Sequence, residues 1–371
     1  MTRLLLRGRV LTFVEEPQGI DDTASYRYWE DGEVEIEGGR IVAAGQFDGA
    51  QTASTIIVDH RPNLILPGFI DPHIHYPQMQ VIGAYAGALL EWLNTYTFVE
   101  EQKFADAAHA RRIAGAFLDE LIRHGTTTAA AYCSVHPQSV DAFFAAAEER
   151  GMLMVAGKVM MDRNAPPGLL DTAQSGYDDT KAGIARWHGR GRAHYAITPR
   201  FAITSSPAQL EAAAALAREH PELHIQTHVS ENLEELATAK ELYPNIADYV
   251  GIYERYQLLG ARTLLGHCIH VSHREAQVIA ETRSVAVFCP TSNLFIGSGL
   301  FDYGRLREQG ARIAVATDVG GGTSYSLLRT LDEGYKVMQL RGQRLNPLRS
   351  FYHMTLGNAR ALSLEQRIGT L

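Results

Sequence analysis

Two histidines separated by a single residue are the first candidates for chemistry in this sequence. His73 and His75 end the apolar run LILPGFIDPHIH. Alternate side chains of a β-strand point to the same face, so both imidazoles could reach one metal ion. The pair alone is a weak signal, because the chain has 15 histidines and these two could equally be polar residues at the edge of a loop.

Further metal-ligand types stand at or near the ends of later apolar runs. They are His228 in IQTHVSE, His267 in LLGHCIH and Asp318 in AVATDVGGG. Imidazole nitrogens and a carboxylate suit Zn²⁺ or Fe²⁺, and a catalytic site of this type keeps a position open for water. The joint pattern therefore predicts a metal site far more specifically than any of its parts does.

An acidic residue that follows His228 is a candidate for acid–base catalysis. Glu231 lies three residues after His228, too far along to share its strand face but close enough to fold back from the loop. A partly buried carboxylate there suits general acid–base catalysis. The alternative is an acidic residue at the start of the next helix, and both roles are compatible.

The elements that must position these residues alternate between short apolar runs and amphipathic segments rich in Ala, Glu and Arg. From residue 64 onward eight such runs occur, which predicts an α/β protein with a parallel (β/α)8 barrel. Active sites of such barrels lie at the carboxyl ends of the strands, where the candidates stand. The runs are LILPGFIDPHIH, GTTTAAAYC, LMVAGKVM, AHYAITPR, LHIQTHVS, TLLGHCIH, SVAVFCPTS and RIAVATDVG.

The pattern divides the chain of 371 residues into two domains. Residues 1–65 read as short strands and predict a small β module, half of a β-sandwich. Residues 66–371 form the predicted barrel, with a long insertion at 76–120 after its first strand. A doubly wound sheet is the main rival, but it requires a glycine-rich phosphate fingerprint that the sequence lacks.

Composition indicates which class of partner and which cellular compartment to expect. With 34 basic and 42 acidic residues the net charge is −8, which argues against nucleic acid as the main partner. Three cysteines are too few for a disulfide framework and favour a reducing compartment. The charged N-terminus does not fit a signal peptide or a membrane span. We expect a soluble, cytoplasmic protein.

Four motifs together resemble the amidohydrolase superfamily: PGFIDPHIHYPQ, THVSE, GHC and ATDVGGG. Three longer stretches are similar to the guanine deaminases within it: EWLNTYTFVEEQKFAD, PRFAITSS and CPTSNLFIGSGLFD. The resemblance covers nearly all of the chain. It implies a metal-dependent barrel enzyme that hydrolyses guanine to xanthine and ammonia, and it implies a homodimer.

The resemblance also implies a role for each candidate residue. A metal-activated water attacks the purine, and the fourth run has no lysine to bridge a second metal, so we expect one Zn²⁺ per subunit, with Fe²⁺ as the alternative. The metal ligands are His73, His75, His228 and Asp318. The catalytic group comprises Glu231 as proton shuttle, with Asp318 and His267 orienting the nucleophile and stabilising charge.

Three further residues are implied to hold the purine: Gln78, Arg200 and Phe201, beside His228, His267 and Asp318. Arginine is the usual bidentate donor to the O6 and N7 acceptors of guanine, and a glutamine amide offers both a donor and an acceptor. The alternatives are an exposed or ion-paired Arg200 and a Phe201 that only fills the core.

Other readings stay open at this point. A related amidohydrolase would deaminate or dechlorinate another heterocycle, such as 8-oxoguanine, a pterin, cytosine or a triazine. A non-catalytic barrel scaffold would keep the fold without the chemistry.

Members of the family normally continue beyond the point where this chain stops, Leu371, with strands that complete the β module. We therefore expect an incomplete module with an unpaired strand edge.

Overall fold

The computed structural model describes residues 3–49, 55–85 and 87–371, and its contacts divide the chain into two compact units. One unit contains Met1–Phe69 and Asn346–Leu371, and the other contains Ile70–Leu345. The C-terminal segment thus groups with the N-terminal strands, whereas the division drawn from the sequence assigned it to the barrel. Ser54 and Ala86, which fall within predicted segments, lie outside the described residues.

The first unit is built on a mixed four-stranded sheet in the order β3-β2-β1-β4. Strand β1 pairs antiparallel with β2 and parallel with β4, and β2 pairs antiparallel with β3. Two glycines with positive φ, Gly38 and Gly39, turn the chain between β2 and β3. The strands are β1 Arg3–Phe13, β2 Tyr26–Glu37, β3 Arg40–Gln46 and β4 Thr55–Ile65.

Aromatic packing joins the two segments of the first unit. Phe13, fully buried at the end of β1, contacts the ring of Tyr352 edge-on with centroids 6.1 Å apart. Leu11 and Leu356 complete this small core. The backbone N–H of Leu371 donates to the Thr12 hydroxyl at 3.0 Å. These contacts are the reason that the last residues belong to this unit.

The second unit is a parallel barrel, and the prediction of eight barrel strands is confirmed. The strands follow one another around the sheet in chain order, and the short β8 pairs beside the path with β9. Each matches one of the eight apolar runs. The strands are β5 Phe69–His75, β6 Thr126–Tyr132, β7 Leu153–Gly157, β8 Val159–Met160, β9 Ala193–Pro199, β10 His224–Val229, β11 Thr263–His267, β12 Val285–Phe288 and β13 Arg312–Val315.

Hydrogen bonds beyond the end of β13 bring the last strand back to the first. The backbone N–H of Asp318 donates to the carbonyl of His73 at 3.0 Å, and that of His75 donates to the carbonyl of Val319 at 2.6 Å. The barrel is therefore nearly closed at the edge where the predicted site residues stand.

Helices follow the strands and begin where the sequence places helix-starting residues. Pro137 and Pro207 occupy first turns, where a missing N–H costs nothing, and the Ser206 hydroxyl caps its helix. The helices are α1 Leu89–Trp92, α2 Phe98–Glu101, α3 Ala107–Arg123, α4 Pro137–Glu149, α5 Ala173–Trp187, α6 Pro207–Glu219, α7 Leu233–Leu242, α8 Tyr249–Arg255, α9 His273–Glu281, α10 Pro290–Phe295, α11 Tyr303–Glu308, α12 Leu327–Leu340, α13 Pro347–Tyr352 and α14 Asn358–Ala361.

The segment 76–120 contains two kinds of structure. Up to Ala105 its described residues include several short helical turns, among them α1 and α2. From Ala107 it is the regular helix α3, which connects the first two barrel strands as an ordinary crossover. Within the described parts of the chain, no helix combines the length and the apolar composition needed to cross a membrane.

A buried ion pair lies just beyond β7. The ammonium group of Lys158, which is almost fully buried, donates to the carboxylate of Asp171. Burial lowers the pKa of Lys158 and raises the pKa of Asp171, and each charge opposes the shift of its partner. The pair therefore holds together two charges that neither residue could keep in this place alone.

We expect Lys158→Met to destabilise the protein by about 3–5 kcal/mol, because it leaves the buried Asp171 carboxylate unpaired. Chemical denaturation monitored by circular dichroism measures this loss. Lys158→Met combined with Asp171→Leu should recover most of it. Lys181→Met, which breaks the exposed pair with Glu219, is the matched control and should change little. Wild-type stability in the Lys158→Met variant would contradict this account.

Candidate active site

Five side chains from four barrel strands meet at the carboxyl ends of those strands. His73 and His75 lie on β5, His228 lies on β10, His267 is the last residue of β11, and Asp318 follows β13. All five are buried. The structure therefore brings together every residue that the sequence pattern proposed as a metal ligand.

Three separations among these side chains have the length expected for ligands of one cation, and the ligand atoms of His73, His228 and His267 lie within 4.8 Å of one another. The Nε2 atoms of His75 and His228 are 3.1 Å apart, and those of His73 and His75 each lie 3.4 Å from Oδ1 of Asp318. Tetrahedral ligands bound to zinc at 2.0–2.1 Å are separated from one another by about 3.3 Å. Among the described residues Nε2 of the buried His73 has only the long contact with Asp318 and no well-formed hydrogen bond, and a metal bond would give that nitrogen a partner.

The protonation states also suit a cation. Burial lowers the pKa of His73, His75 and His228, so these rings are neutral and able to bind metal. Burial disfavours the ionised form of Asp318, but its interaction with His73 and the neighbouring imidazoles outweighs that and lowers its pKa to about 2. His73, His75, His228 and Asp318 therefore present three neutral imidazoles and one carboxylate at neutral pH. Burial disfavours the charged form of His267, but the carboxylates of Glu231 and Asp318 outweigh burial and raise its pKa.

Hydrogen bonds behind the rings fix the direction in which two imidazoles point. Nδ1 of His228 donates to the backbone carbonyl of Arg200 at 2.7 Å, which leaves its Nε2 facing the cluster. Nδ1 of His267 lies 2.9 Å from Oδ1 of Asn293 on α10. The Nε2 of His267 therefore faces Glu231 at 3.3 Å and Asp318 at 3.8 Å. Such outer contacts set the tautomer and the orientation of a ligand.

Glu231 does fold back from the loop toward the cluster. Its Oε1 accepts from the Ser298 hydroxyl at 2.9 Å, and its Oε2 lies beside His267. Burial raises the pKa of Glu231 to about 7, so the carboxyl group can both take up and release a proton near neutral pH.

Helix capping at this place is carried out by other residues. The side chain of Asn232 caps α7, and Oε2 of Glu235 accepts from the backbone N–H groups of Glu231 and Asn232. The capping role that the sequence left open for Glu231 is thus filled by Asn232 and Glu235. The Glu231 side chain stays directed toward His267.

A cavity opens beside the cluster and has the character of a small-molecule site. Seven of its thirteen lining residues are polar or charged and converge on the same space, and most of the others supply apolar surface. Gln78, Arg200 and Phe201 lie on the wall of this cavity and are buried. The other lining residues are His75, Leu89, Trp92, Leu93, His228, Glu231, His267, Ile296, Asp318 and Gly321.

One acidic residue of this region was missed by sequence reasoning. Glu101 accepts from Nη1 of Arg200 at 2.5 Å and from Nε2 of Gln78 at 3.0 Å. Arg200 is thus ion-paired, which was one of the alternatives, and it also lines the cavity. No spacing rule points to Glu101 within 76–120. The available signal was physical, since an arginine placed in a closed pocket needs a counter-charge.

Two further buried residues, Lys158 and Cys289, have none of the roles predicted for the site. Lys158 contacts Asp171 and takes no part in the cluster. Cys289 follows β12 and is buried, and its sulfur lies within 4.8 Å of ligand atoms of His73 and Asp318. Cys289 is therefore a buried residue beside the cluster.

Comparison with known proteins points in one direction. Residues 64–371 match the model of the amidohydrolase family. The chain belongs to that family. It is 46% identical to the guanine deaminase of Escherichia coli strain K12 over 365 residues, which cover 96% of this chain and 83% of that protein.

Two solved structures resemble this amidohydrolase over its whole length. The E. coli guanine deaminase superposes with a TM-score of 0.96 at 44% identity, covering 99% of this chain and 86% of the other. A guanine deaminase from C. acetobutylicum, solved with guanine bound in its active site, superposes with a TM-score of 0.90 at 27% identity, covering 100% and 88%.

A glycine in β11 makes room for the first histidine of the amidohydrolase site. A Cβ atom on Gly266 would lie 2.6 Å from Cε1 and 3.1 Å from Nδ1 of the His73 ring. The ring is fully buried and cannot move away freely. The GHC motif therefore combines an imidazole with the space that a neighbouring imidazole requires.

We expect Gly266→Ala to displace the His73 ring and to weaken metal binding about 10- to 100-fold, the usual effect of disturbing the orientation of a ligand. Elemental analysis after dialysis against graded concentrations of a chelator measures it. Gly260→Ala, at a glycine with open surroundings, is the matched control. Equal retention of metal by both variants would show that His73 tolerates the displacement.

Proposed function

We propose that this amidohydrolase catalyses the hydrolytic deamination of guanine to xanthine and ammonia. The observation that carries the proposal is the cavity in which Arg200, Gln78 and Phe201 stand beside Glu231, His267 and Asp318. One wall offers recognition of a purine and the other offers hydrolytic chemistry. The 46% identity to a guanine deaminase supports the choice of substrate.

The recognition wall matches the edges of guanine. Arginine donates to adjacent acceptors such as O6 and N7, and the amide of Gln78 adds one donor and one acceptor. Phe201, Leu93 and Trp92 supply flat or apolar surface against the ring faces. This arrangement suits a planar heterocycle with polar edges.

We propose one Zn²⁺ per subunit, held by His73, His75, His228 and Asp318, with Fe²⁺ as the alternative. The three separations of 3.1–3.4 Å between facing atoms of these residues, and the lack of a well-formed hydrogen bond at Nε2 of His73, support this set. When bound, the metal supplies a water acidic enough to act as nucleophile near neutral pH.

The residues of the chain then manage the protons. Water adds to C2 of guanine while Glu231 takes up its proton and delivers it to N3. Glu231 next takes the second proton of the added water from the C2 hydroxyl and passes it to the amino group. The C2–N bond then breaks, ammonia leaves, and C2 becomes the carbonyl of xanthine. His267 and Asp318 orient the attacking oxygen, and the pKa of Glu231 near 7 suits both transfers.

We further propose that the enzyme acts in the cytoplasm, in purine catabolism, as a homodimer. Its three cysteines are buried and unpaired, which is typical of proteins from a reducing compartment. The dimer rests on the resemblance to the family, and sedimentation velocity measures it directly.

Glu231→Gln should lower kcat for guanine by about two to four orders of magnitude, since the amide cannot accept and return the proton. Ultraviolet absorbance follows the formation of xanthine, and elemental analysis checks that the variant keeps its metal. The control is Glu234→Gln, because Glu234 is an exposed acid three residues further along the chain, on α7. Undiminished turnover by the metal-loaded Glu231→Gln variant would refute the role of Glu231.

Removal of the metal should abolish turnover, and one equivalent of Zn²⁺ per chain should restore it, because the four ligands form a single site. Titration of the metal-free protein with Zn²⁺ and with Fe²⁺, followed by activity and elemental analysis, measures the metal stoichiometry and the metal preference.

A panel of guanine, 8-oxoguanine, a pterin, cytosine and a triazine tests the substrate. Faster conversion of another ring would replace guanine as the substrate.

A further inference from the structure

We infer that Glu101 is a positioning and specificity-determining residue, which fixes Gln78 and Arg200 and makes the pocket select a neutral purine over an anionic one. The inference deepens the proposed function and rests on it. Glu101 is 1% exposed and ends the short helix α2. It lies behind Gln78 and Arg200 and does not line the cavity, so it acts through them.

The first consequence concerns the direction of the Gln78 amide. A carboxylate only accepts hydrogen bonds, so the nitrogen of Gln78 must face Oε1 of Glu101, at 3.0 Å. The amide oxygen accepts from the backbone N–H of Gly320 at 3.2 Å. The two contacts exclude a flipped amide, and the purine therefore meets a donor and an acceptor in one fixed arrangement.

The second consequence concerns the charge of Arg200, which is 3% exposed. Nη1 is committed to Oε2 of Glu101 at 2.5 Å, and the guanidinium carbon lies 5.2 Å from the centre of the Phe98 ring. Glu101 and Phe98 therefore hold the guanidinium group in place. Its remaining N–H groups make no hydrogen bond to the described residues and can donate to a ligand.

Neutralisation of this cation decides which rings bind well. A buried guanidinium beside an ionised carboxylate adds no net charge to the wall of the pocket. Guanine is neutral near pH 7, whereas xanthine ionises more readily. With Glu101 in place, the wall should therefore not hold the anionic product. Without that carboxylate, the unpaired cation of Arg200 should attract the xanthine anion.

The test compares guanine and xanthine in steady-state assays of the metal-loaded enzyme at mildly alkaline pH. Glu101→Gln keeps the size of the side chain but removes its charge. We expect it to raise KM for guanine about 10- to 100-fold, from the loss of charge-assisted hydrogen bonds, with a smaller change in kcat. The ratio of the inhibition constant of xanthine to KM for guanine should fall at least as much.

Two further variants separate charge from folding. Glu101→Asp keeps the charge, so it should raise KM for guanine while the selectivity against xanthine stays near that of the wild type. Glu100→Gln, at the neighbouring buried acid that pairs with Lys103, is the matched control and should leave the ratio unchanged. Should Glu101→Gln fail to fold, a KM for guanine in Glu101→Asp no higher than in the control, or a selectivity in Glu101→Asp below that of the control, would overturn the inference.

The outcomes are distinguishable. Wild-type enzyme that does not convert guanine would overturn the proposed function, and this inference with it. Active wild type with an unchanged KM for guanine in Glu101→Gln would overturn the inference alone. Equal weakening of guanine and xanthine in Glu101→Gln would indicate mere structural damage and would also overturn it, as would a selectivity in Glu101→Asp that falls to the level of Glu101→Gln.

Discussion

The crowding of polar atoms at the mouth of the barrel is the constraint on which the remaining structure depends. Nitrogen and oxygen atoms of His73, His75, His228 and Asp318 face one another at 3.1–3.4 Å in a place from which water is almost excluded. Burial of polar groups without partners is costly. Only a rigid frame can hold them together, and a bound cation would offset the cost. The nearly closed parallel barrel supplies that frame.

The same residues close the barrel and build the site. Asp318 donates its backbone N–H to the carbonyl of His73, at the seam between the last and first strands, while its side chain faces the imidazoles. Asp318 and His267 both have positive φ, 52° and 72°, a conformation that is costly for residues with a side chain. Strain of this kind persists where the surrounding structure determines it, and it concentrates at functional sites.

Sequence reasoning succeeds where one physical rule decides and fails where contacts across the fold decide. Eight apolar runs identified all eight barrel strands, because a strand buried on both faces must be apolar. The candidate residues followed, since parallel strands end at one edge. Glu101 was missed because α2 is a short helix without periodicity, and only its contact with Arg200 reveals it. Residues 346–371 were assigned to the barrel because the sequence pattern of a helical segment does not indicate which hydrophobic core the helix packs against.

Two carboxylates of the site have separate tasks because their surroundings differ. Asp318 faces three imidazoles, which hold its pKa at about 2 despite burial, and it stays ionised as a ligand for a cation. Glu231 faces His267 and the Ser298 hydroxyl, so burial prevails and raises its pKa to about 7. Groups whose pKa values are driven apart in one site divide acid–base work between them. The division follows from position, since one acid ends a strand inside the ring of histidines and the other returns from a loop at its border.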